Sequence, residues 1–380
     1  MMEGRMISVA VIAAGGRSQG VMERLLADSG NRVVIRSVYD PDRAVVQTAL
    51  ARWKTPDAKV CSSMAEAVGT PGVEWVMVFS PNVFHKEAIV AAFRAGKHVF
   101  SEKPLATTLE DCKEIYDAYL ASGCLFATGF VLRYSPVYRK AKELLDSGIL
   151  GKLLSVDATE NLAPAHGGYI MQNWRRLTAN AGPHLLEKCC HDLDMLNYLI
   201  GSLPSKTAGF GGLDCFIPEN ESLFRKYPKG TYDSWEDPHR TPESPFTSEK
   251  NIKDTQVVIF RYRNGVKVQF QATCCNAIPE RRMYFSCTEG TLLLDLCRSE
   301  LKYCIIGDDS VRTVPFAADG HGGGDNTQTR ELYEVMCTGL PPRAGGSEGL
   351  ESAVVALAAD QAINEERVID LEPVWRSLGR

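Results

Sequence analysis

Met6-Ile7-Ser8-Val9-Ala10-Val11-Ile12-Ala13-Ala14-Gly15-Gly16-Arg17-Ser18 reads as a buried strand running into a glycine turn, and Val21 to Ala27 follows as helix. A G-x-G-x-x-G dinucleotide fingerprint laid on it puts the glycines at Ala13, Gly15 and Ser18, so only the middle one is present. That glycine lets the backbone approach a pyrophosphate, and Ala and Ser are small enough for the other two places. Arg32 to Tyr39 forms a second strand ending at Asp40, about 25 positions after Gly15. An acid near that spacing hydrogen-bonds an adenine ribose and repels a 2′-phosphate, which favours NAD over NADP. Arg43, just beyond, is the residue that would reverse this preference. The same residues also suit a ligand-free strand-turn-helix, with Asp40 as a turn residue before Pro41.

Strand and helix keep alternating. Trp75 to Phe79 is a buried strand with Ser80-Pro81-Asn82 as the loop at its carboxyl end. His85 to Ala95 is helical and Gly96 ends it. His98 to Ser101 is the next strand, followed by Glu102-Lys103-Pro104. Lys103 thus stands just past a strand's carboxyl end, where open α/β sheets hold ligands, and Pro104 keeps it out of helical geometry. A helix from Leu109 to Ala121 with Thr108 as N-cap and a strand over Leu125 to Gly129 complete the series. Repeated βα units predict a Rossmann-type, doubly wound parallel sheet over residues 1–129.

The chain of 380 residues is long enough for a second domain, assigned to 130–380. A net charge of −5 without a Lys/Arg block gives nucleic acid no footprint. Twelve cysteines include the vicinal pairs Cys189-Cys190 and Cys274-Cys275 but no C-x-x-C, which fits reduced thiols in a cytoplasm rather than disulfides or zinc. The apolar run Ile7 to Ala14 is too short to span a bilayer.

Beyond Phe130 the pattern changes. Pro136 to Ser147 is an amphipathic helix, and then strands dominate. Gln256 to Tyr262 and Val266 to Thr273 flank Asn264-Gly265, and Met283 to Thr288 and Thr291 to Leu296 flank Glu289-Gly290. Both pairs read as hairpins, so the second domain is α/β with a large, mostly antiparallel open sheet. Its open face or edge predicts a homo-oligomer. Polar, proline-containing residues from about 218 to 253 read as an irregular insertion.

The periodicity predicts one continuous helix from Leu185 to Ile200. Leu185, Leu186, Cys189, Leu193, Leu196 and Ile200 share one face, while His184, Glu187, His191, Asp194 and Tyr198 share the other. A solvated polar face is one reading and a substrate-binding stripe the other. The cysteines fall on the apolar side, away from Glu187 and His191, so no metal site is assigned.

Ser80-Pro81-Asn82-Val83-Phe84-His85, Ala95-Gly96-Lys97-His98-Val99 and Glu102-Lys103-Pro104-Leu105 together resemble the Gfo/Idh/MocA oxidoreductase family. Arg133-Tyr134-Ser135-Pro136, Gly148 to Gly151 and Trp174-Arg175 extend the likeness over most of the chain. The resemblance implies hydride transfer between nicotinamide and a secondary hydroxyl of a sugar, glycoside or polyol. It implies cofactor contacts at Ala14, Gly15, Gly16, Arg17, Ser18, Asp40, Arg43, Ser80, Pro81, Asn82, His85, Glu102 and Lys103. Substrate contacts are expected at Lys103, Arg133, Tyr134, Trp174, Arg175, His184, Glu187, His191 and His321, the last opening a glycine loop that ends at Asp325. The family motif Asp-x-x-x-His has Glu187 at its acidic position, which points to a different hydroxyl from that of Asp-bearing relatives. Lys103 and His191 are the expected proton-transfer groups, imidazole because its ordinary pKa of about 6.5 lets it take and return a proton. A cis Lys103-Pro104 bond is also implied. The alternatives are glycoside hydrolysis with tightly bound NAD, and a non-catalytic cofactor-binding sensor.

Overall fold

The computed structural model describes residues 5–233, 240–316 and 321–380. They form two compact units, Met1–Tyr134 with Gly324–Leu350 and Ser135–Gly323 with Glu351–Arg380. Against the expected division into 1–129 and 130–380, the first unit runs on to Tyr134 and takes back 324–350.

The first unit holds β1 (Ile7–Ile12), α1 (Gly16–Asp28), β2 (Val33–Tyr39), α2 (Arg43–Trp53), β3 (Lys59–Val60), α3 (Met64–Val68), β4 (Trp75–Val78), α4 (His85–Arg94), β5 (His98–Ser101), α5 (Leu109–Ser122) and β6 (Phe126–Thr128). The strands are all parallel in the order β3-β2-β1-β4-β5-β6. This is the dinucleotide-fold order, which reverses between β1 and β4 and opens a ligand crevice there. Helices cover both faces of such a sheet, so β1 and β4 are buried at every position, and β4 is apolar throughout. Short polar side chains start the helices: the Asp42 carboxylate accepts from Ala44 N at 2.8 Å, and Thr108 Oγ1 from Asp111 N at 3.2 Å. A late helix, Gly324–Thr338, adds Leu332 and Met336 to the same core.

The second unit begins with α6 (Pro136–Asp146), β7 (Leu153–Asn161), α7 (Pro164–Gln172), α8 (Thr178–Ala181), α9 (His184–Glu187), α10 (Cys190–Ile200) and β8 (Pro204–Gly212). Then come α11 (Ser222–Lys226), β9 (Thr255–Tyr262), β10 (Lys267–Thr273), β11 (Glu280–Cys287), β12 (Gly290–Asp295), β13 (Glu300–Ile305), β14 (Arg312–Thr313) and β15 (Ile369–Asp370). The nine strands order as β14-β13-β12-β11-β7-β10-β9-β8-β15, antiparallel except for β7 against β10. In the β9–β10 hairpin Gly265 N donates to Tyr262 O at 2.9 Å, and Gly265 takes a φ of 88° that suits glycine. Side chains alternate along β9: Val258 and Phe260 are buried, while Ile259 is 56% exposed on the other face.

Two expectations change here. The helix foreseen from Leu185 to Ile200 is broken: Cys189 N reaches back five residues to His184 O at 3.4 Å, and α10 restarts beyond it. Nor is there a solvated face, because His184, Glu187, His191 and Asp194 are as buried as the leucines opposite. The stretch around 218–253 is irregular apart from Pro218–Asn220 and α11, yet Phe216, Tyr232, Phe246 and Ile252 pack with Leu162, Ile170 and Met171 into a core of their own. Its residues 234–239 lie outside the described ones.

Candidate functional site

In the first unit, Ala13 occupies the first fingerprint position at a φ of 67°, a left-handed backbone that costs a non-glycine residue roughly 1–2 kcal/mol. Nothing lies within 4 Å of a Cβ built on Gly15 or Gly16, so the turn is an open cradle. Ser18 replaces the third glycine and closes the turn with a 2.7 Å bond from its hydroxyl to Gly15 O. The amino end of α1 carries no side-chain cap and no acid in its first turn, so its N–H groups and dipole suit an anion. Asp40 accepts from Ala14 N at 2.8 Å and from Asp42 N at 2.9 Å, which fixes its carboxylate beside the turn. Cradle, uncapped helix and acid together fit a dinucleotide. Arg43 is exposed at the start of α2.

Three of the expected cofactor contacts, Arg17, Glu102 and His85, also tie the loops together. Arg17 donates from Nε to Glu102 Oε1 at 2.6 Å and from Nη1 to Asp325 Oδ1 at 2.7 Å. Burial works against its charge, but the carboxylates of Glu102 and Asp325 raise its pKa, so Arg17 is a brace between carboxylates. Glu102 also receives Lys103 N at 3.2 Å, and a Cβ on Gly129 would collide with it. Thus Arg17 and Glu102 tie the Lys103 corner to the glycine turn. The Lys103-Pro104 bond is cis. His85 is fully buried, with Nδ1 2.7 Å from Pro104 O and Nε2 2.8 Å from Ser80 O. It struts the Ser80-Pro81-Asn82 loop against the Lys103-Pro104 loop, and no ring nitrogen is left for a cofactor. Burial lowers its pKa, opposed by the two carbonyls.

Arg133 and Tyr134 are buried as well. Arg133 lies 3.8 Å from Glu348, and the Tyr134 hydroxyl bonds the Ala344 backbone. They hold the returning segment 324–350 to the sheet unit.

In the second unit three expected residues converge. Arg175 Nε donates to Glu187 Oε1 at 2.8 Å and Nη1 to Asn173 Oδ1 at 2.9 Å. Its guanidinium sits over the rings of Trp174, 4.3 Å from the centroid, and Tyr169, at 5.0 Å. His191 and His321 approach to 6.0 Å between ring centroids. His184 does not join them. It is fully buried, with Nδ1 2.8 Å from Gln256 Oε1 and Nε2 3.4 Å from Cys274 Sγ, and burial lowers its pKa. The bulge after α9 separates its direction from that of His191.

Four further charged residues lie behind Glu187. Lys188 Nζ is 3.1 Å from Glu160 Oε1, while Arg281 bonds both Asp192 oxygens at 2.9 and 2.8 Å and lies 3.1 Å from Glu160 Oε2. Glu187, Glu160 and Asp192 therefore each have a basic partner, so their charges are neutralised in place. His166 of α7 feels Lys188, Glu160 and Glu187, and burial with Lys188 drives its pKa down to about 3. Sequence reasoning passed over His166, Lys188 and Tyr169. The usable signal was His166-Gly167-Gly168-Tyr169, because a Cβ on either glycine would collide with the carbonyl of Cys274 or Tyr232. Among the described residues no group of three or more His, Cys, Asp or Glu is arranged to hold a metal ion.

Comparison with known proteins follows these two units. Residues 7–130 match the Gfo/Idh/MocA oxidoreductase family's NAD-binding Rossmann fold, and residues 142–371 its C-terminal alpha/beta domain. The chain is 34% identical over 324 residues to the 1,5-anhydro-D-fructose reductase of Ensifer adhaerens, spanning 83% of this chain and 84% of that one. It is 28% identical over 252 residues to the 2,7-anhydro-N-acetylneuraminate hydratase of Escherichia coli K12, covering 63% and 62%. The chain spans 54% to 62% of the length of the first curated relatives it matches. The solved structure of a levoglucosan dehydrogenase with NADH and levoglucosan superposes at a TM-score of 0.80 over 97% of this chain and 100% of the other, at 20% identity, a likeness of fold alone. With both of its domains matched in order, this chain belongs to the Gfo/Idh/MocA oxidoreductase family.

Proposed function

We propose that the protein is an NAD-dependent oxidoreductase acting on a secondary hydroxyl of a neutral sugar, glycoside or polyol. The observation that carries this reading is the open glycine turn bound through Arg17 and Glu102 to the Lys103 corner, within a family match to both domains. Gly15, Gly16 and the α1 amino end would hold the pyrophosphate and Asp40 the adenine ribose, which favours NAD over NADP. When bound, NAD supplies a hydride acceptor at nicotinamide C4. His191 takes the hydroxyl proton as the carbon loses hydride, and Lys103 stabilises the negative charge developing on oxygen. Glu187, pinned by Arg175, accepts a hydrogen bond from a neighbouring hydroxyl and sets the ring's orientation. Paired charges around Glu187 support an uncharged substrate, because an added ion would meet no unbalanced partner.

Redox-neutral cleavage of a glycoside with NAD retained is a second reading, favoured by the relative named as a hydratase. A panel of sugars, inositols and glycosides assayed for NADH absorbance separates the two. NADH accumulating in proportion to product supports the dehydrogenase; product without NADH overturns it. We also assign the protein to a reducing cytoplasm, on a cysteine pattern of vicinal pairs without a C-x-x-C, and to a homo-oligomer that covers the outer sheet face. No helix among the described residues is long and apolar enough to cross a membrane.

A further inference from the structure

Asp254, at the start of β9, holds two cysteines together. Its carboxylate receives the N–H groups of Asp214, Cys215 and Phe216 at 2.9, 3.0 and 2.8 Å, and its own carbonyl receives Cys274 N at 3.0 Å. Cys215 and Cys275 are thereby brought side by side against the small core of Phe216, Tyr232 and Phe246, each half-buried. The two thiols lie within electrostatic reach of one another, and Cys275 Sγ donates to the Tyr232 hydroxyl at 3.7 Å. We propose that Cys215 and Cys275 are a reversible oxidation site that closes to a disulfide on reaction with a peroxide.

The neighbouring Cys215 thiol lowers the Cys275 pKa against the effect of burial, while the same pairing raises that of Cys215. Cys275 is therefore the nucleophile and Cys215 the resolving thiol. The Cys275 thiolate attacks one peroxide oxygen, the O–O bond breaks, and the departing hydroxide takes a proton to leave as water. Cys275 is then a sulfenic acid. Cys215 sulfur attacks that sulfur, the S–O bond breaks, and the hydroxide leaves with the Cys215 proton as a second water. Overall the two thiols lose two electrons and one peroxide is reduced to two waters. A dithiol reductant reverses the step by exchange. The buried Cys274, next in the chain, is instead held by His184 and contributes no reactive thiol.

Treatment of the full chain with equimolar hydrogen peroxide, followed by intact mass and peptide mapping, tests this. The expected result is a cross-link between the peptides of Cys215 and Cys275, reversed by dithiothreitol. In Cys215→Ser the reaction should stop at a sulfenic acid on Cys275 that dimedone traps. Alkylation of Cys275 by iodoacetamide should show a midpoint below the ordinary thiol value of about 8.5. A cross-link between other cysteines, or Cys275 alkylated no faster than the remaining thiols, would overturn the proposal.

Discussion

At His85 both ring nitrogens meet main-chain carbonyls, and the ring has no exposure. His85→Ala leaves Pro104 O and Ser80 O buried without that partner, and each such loss costs about 1–3 kcal/mol. The expected outcome is a loss of about 2–4 kcal/mol in urea unfolding, with NAD affinity weakened by the slackened loops. An unchanged unfolding midpoint would reject the strut. The contrast with Lys103 is instructive. Both residues belong to short motifs readable in the sequence, yet the motif alone does not say which side chain turns inward. His184 and His191 repeat the point, because a periodicity of 100° per residue puts them on one face only if the helix is unbroken. The five-residue reach of Cys189 to His184 O depends on packing that no local pattern encodes.

Among the elements, α7 and α9 each carry an imidazole whose charged form burial disfavours: His166 and His184. Their folded pKa values are lowered from 6.5, to about 3 for His166. The unfolded chain therefore binds protons below about 6.5 that the folded chain refuses, so stability is full above that pH and is lost as pH falls. Melting temperature should drop steadily on acidification from pH 7 towards 5, and a flat profile over that range would contradict the neutral, buried assignment. Element types themselves were largely legible: Thr108 caps α5, and Asn264-Gly265 marks the β9–β10 turn. The links between elements were not. Arg17 meets Asp325 across 308 residues, and a single sequence holds no record of such a pairing.

Over the whole molecule, both domains were legible because parallel and antiparallel sheets impose different apolar periods, continuous in β4 and alternating in β9. The return of 324–350 to the first unit was hidden, since nothing local in Gly324–Thr338 names its packing partner. The outer face of the second sheet exposes Phe210, Val257, Ile259 and Tyr284, with Phe210 at 74%. Exposed apolar side chains on one sheet face favour association between copies of the chain. Sedimentation should give an oligomer for the native protein and a smaller species for Ile259→Glu with melting temperature retained; a native monomer would remove this expectation. The central claim is proton-coupled hydride transfer by Lys103 and His191. Its most direct test is steady-state NADH formation, on whichever polyol the panel identifies, by Lys103→Ala and His191→Ala beside the native enzyme. Turnover should fall by roughly 100-fold or more in each variant while NAD still binds. Native turnover in either variant, with NAD bound, would contradict the assignment.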